Sequence, residues 1–420
     1  MAECKILIWS LHKIMLNIFK PLERNEVVVK SISEFGMSID YNSQEDFDNI
    51  IKLYPADIVI LYNVSRRGLT FIIPYNIIVV TYCDHYIEQF SLIGKNYFKL
   101  LTEKDFLYIP ALNVERKDKD NVLKDNRINR QIITVPFVSE NMDYFETSMK
   151  SEEDLIDSRF TSEVSVVASY ADTGYYNWCF DLSKNTPYGR ALMQFIGIIV
   201  LDIRKEIFKR EMCVLDMEWI NKLIIKIFDK FNIWEYSNNH DKFLEIWSNA
   251  VVENIVFHEY VYCIVKWLAE SSIDFKVWGS GWERVPVVYN KAMGTVGEGS
   301  KDLDKIYRNS KISINPNVYM GIHRRVFEII RNKCLWMQAD SNVQNMSSDF
   351  RPYFNEGKSV VTFKNKEELF GNINYYLSHN NERECIISEA SKVVKEMNWD
   401  MKSVVNNAFE IIIKKVCHIK

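Results

Sequence analysis

Short apolar runs alternate with amphipathic stretches over the first 155 residues of the chain. Four runs have the length and composition of strands: residues 6–9, 27–29, 58–62 and the β-branched run 75–82. Two stretches between them have helical spacing: residues 11–22 and 47–53. Strands that alternate with helices are typical of a parallel sheet covered on both faces. The pattern therefore predicts a Rossmann-like α/β domain over residues 1–155.

A second domain is predicted after the acidic segment 151–154. Its expected strands are residues 163–168, 275–278, 311–315, 334–336 and 360–363, and a long helical segment, 188–271, separates the first two. We expect this domain to cover residues 156–401 and to repeat the Rossmann-like architecture. A final helix, about 402–420, could pack back on the first domain. The polar stretch 115–130 has no hydrophobic period and is expected to be a solvated loop.

The composition sets limits on location and partners. The 52 basic and 56 acidic residues give a formal net charge of -4, which provides no overall field to attract nucleic acid. The most apolar run, 192–203, is shorter than the roughly 20 residues of a spanning helix and predicts a buried helix. The N-terminus lacks a secretory-signal pattern. The eight cysteines are scattered and form no C-x-x-C pair. These features predict a cytoplasmic protein with reduced thiols and no transmembrane segment.

Two glycines follow the strand predicted at 275–278. Gly279 and Gly281 stand in the sequence Gly-Ser-Gly-Trp. Glycines at the carboxyl end of a parallel strand let the backbone approach a ligand closely. The alternative is a tight turn that merely needs positive φ angles at these positions. The sequence is compatible with both.

A polar constellation follows the strand predicted at 311–315. Asn315 ends this strand, and a helix is expected to begin near Gly321. A helix N-terminus has unpaired N–H groups and a partial positive charge, so it can bind a phosphate, and Arg324 or Arg325 would add charge-assisted hydrogen bonds. Glu328 lies one turn further along, where its carboxylate could accept hydrogen bonds from the two hydroxyls of a ribose.

The alternative for these charges is an ion-pair ladder on a solvated helix face. Arg324, Glu328 and Arg331 have the spacing for such a ladder, which is worth roughly a few tenths of a kcal/mol. However, apolar residues at 326, 327, 329 and 330 cover most of the helix surface. We therefore expect Glu328 to lie near a core and to have a specific partner.

These segments resemble the C-terminal domain of the GT-B glycosyltransferases, particularly the CgeB-like group (glycosyl transferases group 1). The resemblance is carried by residues 294–315 and 321–328, and it extends to 354–357, 366–369 and 375–383. It covers residues 275–405 well and the first domain loosely. It implies an α/β protein of GT-B type, with two Rossmann-like domains facing across a cleft and a helical insertion.

The resemblance also implies roles for individual residues. Glu328 would hold the ribose of the donor nucleotide, and His323 and Arg324 would lie near its diphosphate. The segment from Gly297 to Ser300 would border the heterocyclic base of the nucleotide. Arg325 and Lys311 are further candidates for the donor site. This set predicts that the turn entering the helix grips a nucleoside diphosphate.

Two observations bear on the chemistry. Retaining GT-B enzymes often carry a second Glu eight residues before the ribose Glu, and Met320 occupies that position, so retention is not implied. Asp302 and Asp304 match a D-x-D metal motif of another glycosyltransferase fold. They follow Ser300, a candidate N-cap, so both carboxylates would complement a helix dipole instead. The histidines lack zinc-ligand spacing, and no metal is expected.

The first domain is expected to supply the base that activates the acceptor hydroxyl. Asp84 and His85 follow the strand predicted at 75–82, at the carboxyl end where α/β sites form, and His12 follows the first strand similarly. The alternative for each is a capping or surface residue. Related proteins tend to carry an Asp after this strand, so we rank Asp84 before His85 and His12.

The hypothesis from the sequence is a metal-independent glycosyltransferase. It would move a sugar from a nucleoside-diphosphate donor, expected to be UDP-linked, to a hydroxyl of a protein or glycan acceptor, and it would need no other cofactor. Two alternatives stay open: a non-catalytic partner that scaffolds another transferase, and a GT-B sugar-nucleotide epimerase. The helical segment 188–271 could shape the acceptor site or form the interface of a homo-oligomer.

Overall fold

The structure is a computed structural model. It describes residues 3–11, 15, 18–24, 26–37, 43–62, 64, 69–82, 104–110, 132–135, 158–172, 174–176, 187–236, 238–297, 300–318, 321–340, 349–397, 404–410 and 412–413. The base candidates His12, Asp84 and His85 lie outside these residues. So do Met320 and the predicted loop 115–130.

The chain divides into two compact units. The N-terminal unit consists of Met1–Ser148 with Ile322–Arg324 and Val394–Lys420, and the C-terminal unit consists of Met149–Gly321 and Arg325–Val393. The division along the chain thus falls between residues 148 and 149, whereas the sequence pattern places it between 155 and 156.

The N-terminal unit contains a six-stranded parallel sheet. Its described elements are β1 (Cys4–Trp9), β2 (Val27–Ser31), α1 (Gln44–Leu53), β3 (Ile58–Tyr62), β4 (Ile78–Tyr82), β5 (Asp105–Pro110) and β6 (Ile132–Val135). The strand order is β2-β1-β3-β4-β5-β6. Helix α1 begins at the N-cap Ser43, whose side chain accepts a hydrogen bond from the backbone N–H of Asp46.

The core of this unit includes the end of the chain. Helical residues 404–410 and 412–413 contribute buried apolar side chains to the cluster that covers one face of the sheet. Phe409 lies 5.3 Å from Phe19 and 5.9 Å from Tyr108 between ring centroids. These two helical stretches therefore pack as part of the N-terminal unit.

The C-terminal unit contains a five-stranded parallel sheet and most of the helices described. Its elements are β7 (Ser162–Val167), α2 (Pro187–Arg210), α3 (Met217–Phe231), α4 (His240–Val251), a π-helix (Val252–Val256), α5 (Phe257–Ala269), β8 (Phe275–Trp278), α6 (Lys301–Arg308), β9 (Ser310–Asn315), α7 (Arg324–Arg331), β10 (Leu335–Ala339), β11 (Val361–Phe363), α8 (Lys366–Ser378) and α9 (Asn380–Glu396). The first residue of α7 and the last three residues of α9 are assigned to the N-terminal unit. The strand order is β11-β10-β9-β7-β8.

The two sheets are wound in the same way. In each, the second strand of the unit lies outside the first, and the third, fourth and fifth strands follow on the other side of the first. The chain therefore changes direction across the sheet between β1 and β3 in one unit, and between β7 and β9 in the other. In open parallel sheets, ligands bind beyond the carboxyl ends of the strands at such a switch point.

Helix α2 is amphipathic. Phe195, Ile199 and Ile203, spaced one turn apart, are fully buried in the core of the C-terminal unit, whereas Leu201 is 63% exposed. The side chains described in the run, from residue 193 to residue 203, are therefore buried on one face, which corrects the expectation of a buried helix. Within the described ranges, no helix combines the length and the apolar character needed to cross a membrane.

All nine strands expected from the sequence are present, and their ends shift by up to three residues. Strands β5 and β6 were not expected. Five cysteines lie in the described part of the chain, and all five are free thiols: Cys4, Cys213, Cys263 and Cys334 are buried, and Cys385 is exposed.

Candidate functional site

The carboxyl ends of β7 and β8 continue as a joined pair of turns. The backbone N–H of Tyr170 donates to the carbonyl of Ser280 over 2.8 Å, and the N–H of Ser280 donates to the hydroxyl of Ser169 over 3.3 Å. The ring of Tyr170 lies 5.4 Å from that of Trp282. These contacts hold the β7 turn, which borders the switch point, against the β8 turn.

Both glycines of the β8 turn are required by the packing of the chain itself. Gly279 has a φ of +145°, and a Cβ there would lie 2.3 Å from the carbonyl oxygen of Ala168. Gly281 has a φ of +89°, and a Cβ there would lie 3.1 Å from the carbonyl oxygen of Tyr170. The close approach at these glycines is therefore to the protein's own backbone, as the tight-turn alternative requires.

A buried polar network lies at the carboxyl ends of β9 and β10. The Gln338 side chain accepts a hydrogen bond from Nδ2 of Asn315 over 2.7 Å and one from Nε1 of Trp336 over 3.1 Å. Its Nε2 atom donates to the carbonyl oxygens of Asn317 and Ala339 over 2.7 and 2.8 Å. Asn315, a candidate from the sequence, is thus held at the switch point by a residue that the sequence analysis did not identify.

Helix α7 carries Glu328, the residue that is predicted to bind the ribose. Glu328 is only 4% exposed, so it does not belong to a solvated ion-pair ladder. Burial, and to a smaller extent the nearby Glu328 carboxylate, raise the pKa of Tyr307 on α6 well above its usual value. His323 directly precedes the helix, and Arg324 and Arg325, both partly buried, begin it. The helix starts three residues after the predicted Gly321.

Asp304 joins α6 to the end of α7. Its Oδ1 atom accepts hydrogen bonds from Nε of Arg331 over 3.2 Å, from a second nitrogen of the same guanidinium group, and from Nδ2 of Asn332 over 2.8 Å. Asn332 in turn accepts from Nε of Arg308 over 2.7 Å. The Arg331 side chain is 5% exposed. Arg331 therefore pairs with Asp304 on a neighbouring helix.

Ser300 and Gly297 lie before α6. Ser300 is the N-cap of this helix and accepts a hydrogen bond from the N–H of Leu303, as predicted. The N–H of Ser300 donates to the carbonyl of Gly297 over 3.2 Å. Asp302 and Asp304 lie in the first turn, as predicted. Among the residues that the structure describes, no group of three or more His, Cys, Asp or Glu side chains could hold a metal ion.

Lys311 lies apart from the other candidates. It is the second residue of β9, near the amino end of the strand, and its Nζ atom lies 3.2 Å from Oε1 of Glu163. The carboxyl end of the same strand is four residues away at Asn315. The expectation that Lys311 belongs to the donor site is therefore not supported, because Lys311 lies at the amino ends of the strands and the site is expected at their carboxyl ends.

Asp340 is a second residue that the sequence analysis missed. It directly follows β10, it is 8% exposed, and burial raises the pKa of its carboxyl group. Nη1 of Arg351 lies 3.5 Å from its Oδ1 atom. An acidic residue after an apolar strand is the same pattern that singled out Asp84, so this pattern could have identified Asp340 from the sequence.

A buried ion pair anchors the turn after β7 to the helical segment. Glu259 on α5 is fully buried, accepts hydrogen bonds from Nε and Nη2 of Arg204 on α2, and accepts a third from the hydroxyl of Tyr176 over 2.8 Å. The Arg204 guanidinium also lies 4.2 Å from the ring centre of Tyr262. No sequence motif indicates this network, because its members are separated by up to 83 residues.

Comparisons with known proteins agree with this architecture. A family model described as glycosyl transferase-like matches residues 263–406, about a third of the chain. The sucrose-phosphate synthase of Thermosynechococcus elongatus is similar over 99% of this chain and 100% of that chain, with 8% sequence identity and a TM-score of 0.54. The chain has the GT-B fold.

Two further solved structures are similar over most of the chain. HepE from Anabaena, in complex with UDP-glucose, shares 9% identity over 98% of this chain and 99% of that chain, with a TM-score of 0.49. A putative UDP-N-acetylglucosamine 2-epimerase from Listeria monocytogenes shares 8% identity over 92% and 91%, with a TM-score of 0.41. No curated protein matches the chain in sequence.

Proposed function

We propose that the protein is a glycosyltransferase of the CgeB-like group. It transfers a sugar from a UDP-linked donor to a hydroxyl group of a protein or glycan acceptor. The observation that carries the proposal is the burial of Glu328 on α7, the helix that follows β9 at the switch point of a GT-B sheet. A carboxylate at this place can accept hydrogen bonds from the two hydroxyls of a ribose, which are donors of the kind that it binds.

The start of α7 supplies the proposed diphosphate site. Its first backbone N–H groups and the positive end of its dipole favour a phosphate, and His323, Arg324 and Arg325 add donors beside it. The heterocyclic base of the nucleotide would lie beside the segment from Gly297 to Ser300, before α6. Gly279 and Gly281 enter the proposal only as turn residues that shape the neighbouring backbone.

The proposed reaction is a displacement at the anomeric carbon of the donor. The acceptor oxygen forms a bond to this carbon, the bond from the carbon to the diphosphate breaks, and the electron pair leaves with UDP. The acceptor proton passes to a base. The charge that develops on the diphosphate is stabilised by the helix dipole and the arginines. We propose that this reaction needs no metal, because Asp304 of the D-x-D sequence is already engaged by Arg331 and Asn332.

Asp84, His85 and His12 remain the proposed bases. Asp84 and His85 follow β4, whereas His12 follows β1, which borders the switch point of the N-terminal sheet. The strand order therefore adds support for His12 beyond its rank in the sequence analysis.

A thermal-shift panel of UDP, GDP, dTDP and CMP sugars tests the donor class. A ligand that binds only the folded protein raises its melting temperature by mass action. We expect UDP sugars to give the largest shift. If none of the four nucleotide classes shifts the melting temperature at millimolar concentration, the donor site does not exist as proposed.

Product analysis by NMR then separates transfer from the two alternatives. The protein is incubated with the best donor, with and without EDTA, and with candidate acceptors. Free UDP with the sugar on water or acceptor indicates a transferase, and an unchanged rate in EDTA supports the metal-independent reaction. Inversion at a ring carbon with the nucleotide still attached indicates an epimerase. Donor binding without any turnover indicates the scaffolding partner.

A further inference from the structure

We propose that Gln338 is a positioning residue of the donor site. Its amide fixes the turn that connects β9 to the segment before α7, so that Gln338 acts on the nucleotide through the backbone rather than by touching it. This inference rests on the proposed function, because the ligand whose binding it affects is the nucleoside diphosphate.

The Gln338 amide uses both of its polar atoms, and each makes two hydrogen bonds. Oε1 accepts from Asn315 and Trp336, and Nε2 donates to the carbonyl oxygens of Asn317 and Ala339. The side chain is 1% exposed. An amide has two donor hydrogens and two acceptor lone pairs, so its capacity is fully used. Such a group specifies one arrangement of its partners, since any shift leaves a buried polar atom without a bond.

Two of these bonds fix the turn after β9 from two sides. One reaches the side chain of Asn315, the last residue of the strand, and the other reaches the main-chain carbonyl of Asn317. Both residues are buried, as is Val318. Only six residues separate Asn317 from the first residue of α7, so the geometry of this turn limits where the helix begins.

The variant Gln338→Glu tests the two halves of the network separately. The introduced carboxylate has nearly the same shape and still accepts from Asn315 and Trp336, but it cannot donate to the carbonyl of Asn317. A carboxylate oxygen of the variant and the carbonyl oxygen of Asn317 then face each other in the protein interior. We expect calorimetry at pH 8 to show UDP binding about tenfold weaker than for the wild type, because a lost buried hydrogen bond leaves its partner unsatisfied.

The pH dependence provides a readout that a general loss of structure would not give. Burial raises the pKa of a carboxyl group, so lowering the pH returns a donor hydrogen to this position. The ratio of the UDP dissociation constants of the variant and the wild type should therefore fall between pH 8 and pH 5.5. In Gln338→Met, which has a similar shape and no donor at any pH, the ratio should be large and constant.

The matched control is Asn372→Asp. Nδ2 of Asn372 on α8 also donates to a strand carbonyl, that of Thr362, in the same unit. This variant should lose a similar hydrogen bond and keep its UDP affinity. Circular dichroism and melting temperature establish which variants are folded. Wild-type affinity in folded Gln338→Glu and Gln338→Met, or an equal loss in Asn372→Asp, overturns the inference. Absence of UDP binding in the wild type overturns the proposed function and this inference with it.

Discussion

At the scale of single residues, the two aspartates of the D-x-D sequence have different environments. The Asp304 carboxylate holds the guanidinium of Arg331, whose side chain is 5% exposed, whereas Asp302 is 53% exposed and lies 3.7 Å from Lys305. Both lie in the first turn of α6, so both complement its dipole equally. The difference between them isolates the contribution of the buried ion pair.

We predict that Asp304→Asn lowers the free energy of unfolding by about 2 kcal/mol, because it leaves a buried guanidinium without its carboxylate. Asp302→Asn should change it by less than about 0.5 kcal/mol. Urea denaturation measures both. Equal effects of the two substitutions would show that the contact with Arg331 contributes nothing specific.

His258 on α5 predicts a dependence of stability on pH. Burial lowers its pKa from 6.5 to about 4, and its Nε2 atom lies 2.9 Å from the hydroxyl of Tyr175. Between these two pKa values the unfolded chain binds more protons than the folded protein does. The contribution of His258 to the free energy of unfolding is therefore fully present above pH 6.5 and is lost as the pH falls towards 4. This loss amounts to at most about 3 kcal/mol.

The comparison of variants isolates this contribution from the other titrating groups. We predict that His258→Gln loses less stability than the wild type between pH 6.5 and 4.5, as measured by urea denaturation at several pH values. The substitution His240→Gln, at an exposed histidine of α4, should leave the wild-type profile unchanged. Parallel profiles for wild type and His258→Gln would contradict the assignment.

At the scale of elements, the sequence predicts strands well where apolar runs are bounded by polar turns. It did not reveal β5 and β6, although Phe106 and Ile132 each begin a short apolar run within them. Each run is at most four residues long, so it is too short for the apolar pattern to separate a strand from a loop or a short helical segment. Helix α7 begins at Arg324 rather than near Gly321, because periodicity locates a helix better than it locates its first residue.

The turn after β8 gives a prediction that depends on packing between elements. Gly279→Ala should lower the free energy of unfolding by at least about 3 kcal/mol, because the added methyl group collides with the backbone after β7. Gly294 has a φ of +84° and no atom within 4 Å of an added Cβ, so Gly294→Ala should cost about 1 kcal/mol. Thermal unfolding of both variants checks this, and similar losses would exclude the collision.

At the scale of the whole molecule, the sequence predicts two α/β domains, and the structure shows two parallel sheets wound in the same order. The motif around Glu328 is local in sequence, so its helix, its burial and the cap at Ser300 could all be predicted. The amide network of Gln338 could not be predicted in this way. It depends on the register that places Gln338 of β10 beside Asn315 of β9, and no local pattern encodes that pairing.

The most direct test of the central claim is calorimetric titration of UDP into the wild type, Glu328→Gln and the exposed control Glu389→Gln. We predict that the wild type and the control bind UDP equally, and that Glu328→Gln binds at least about tenfold more weakly, because a neutral amide is a poorer acceptor for ribose hydroxyls than a buried carboxylate. Equal affinity of all three folded proteins would contradict the assignment of Glu328 to a nucleotide site.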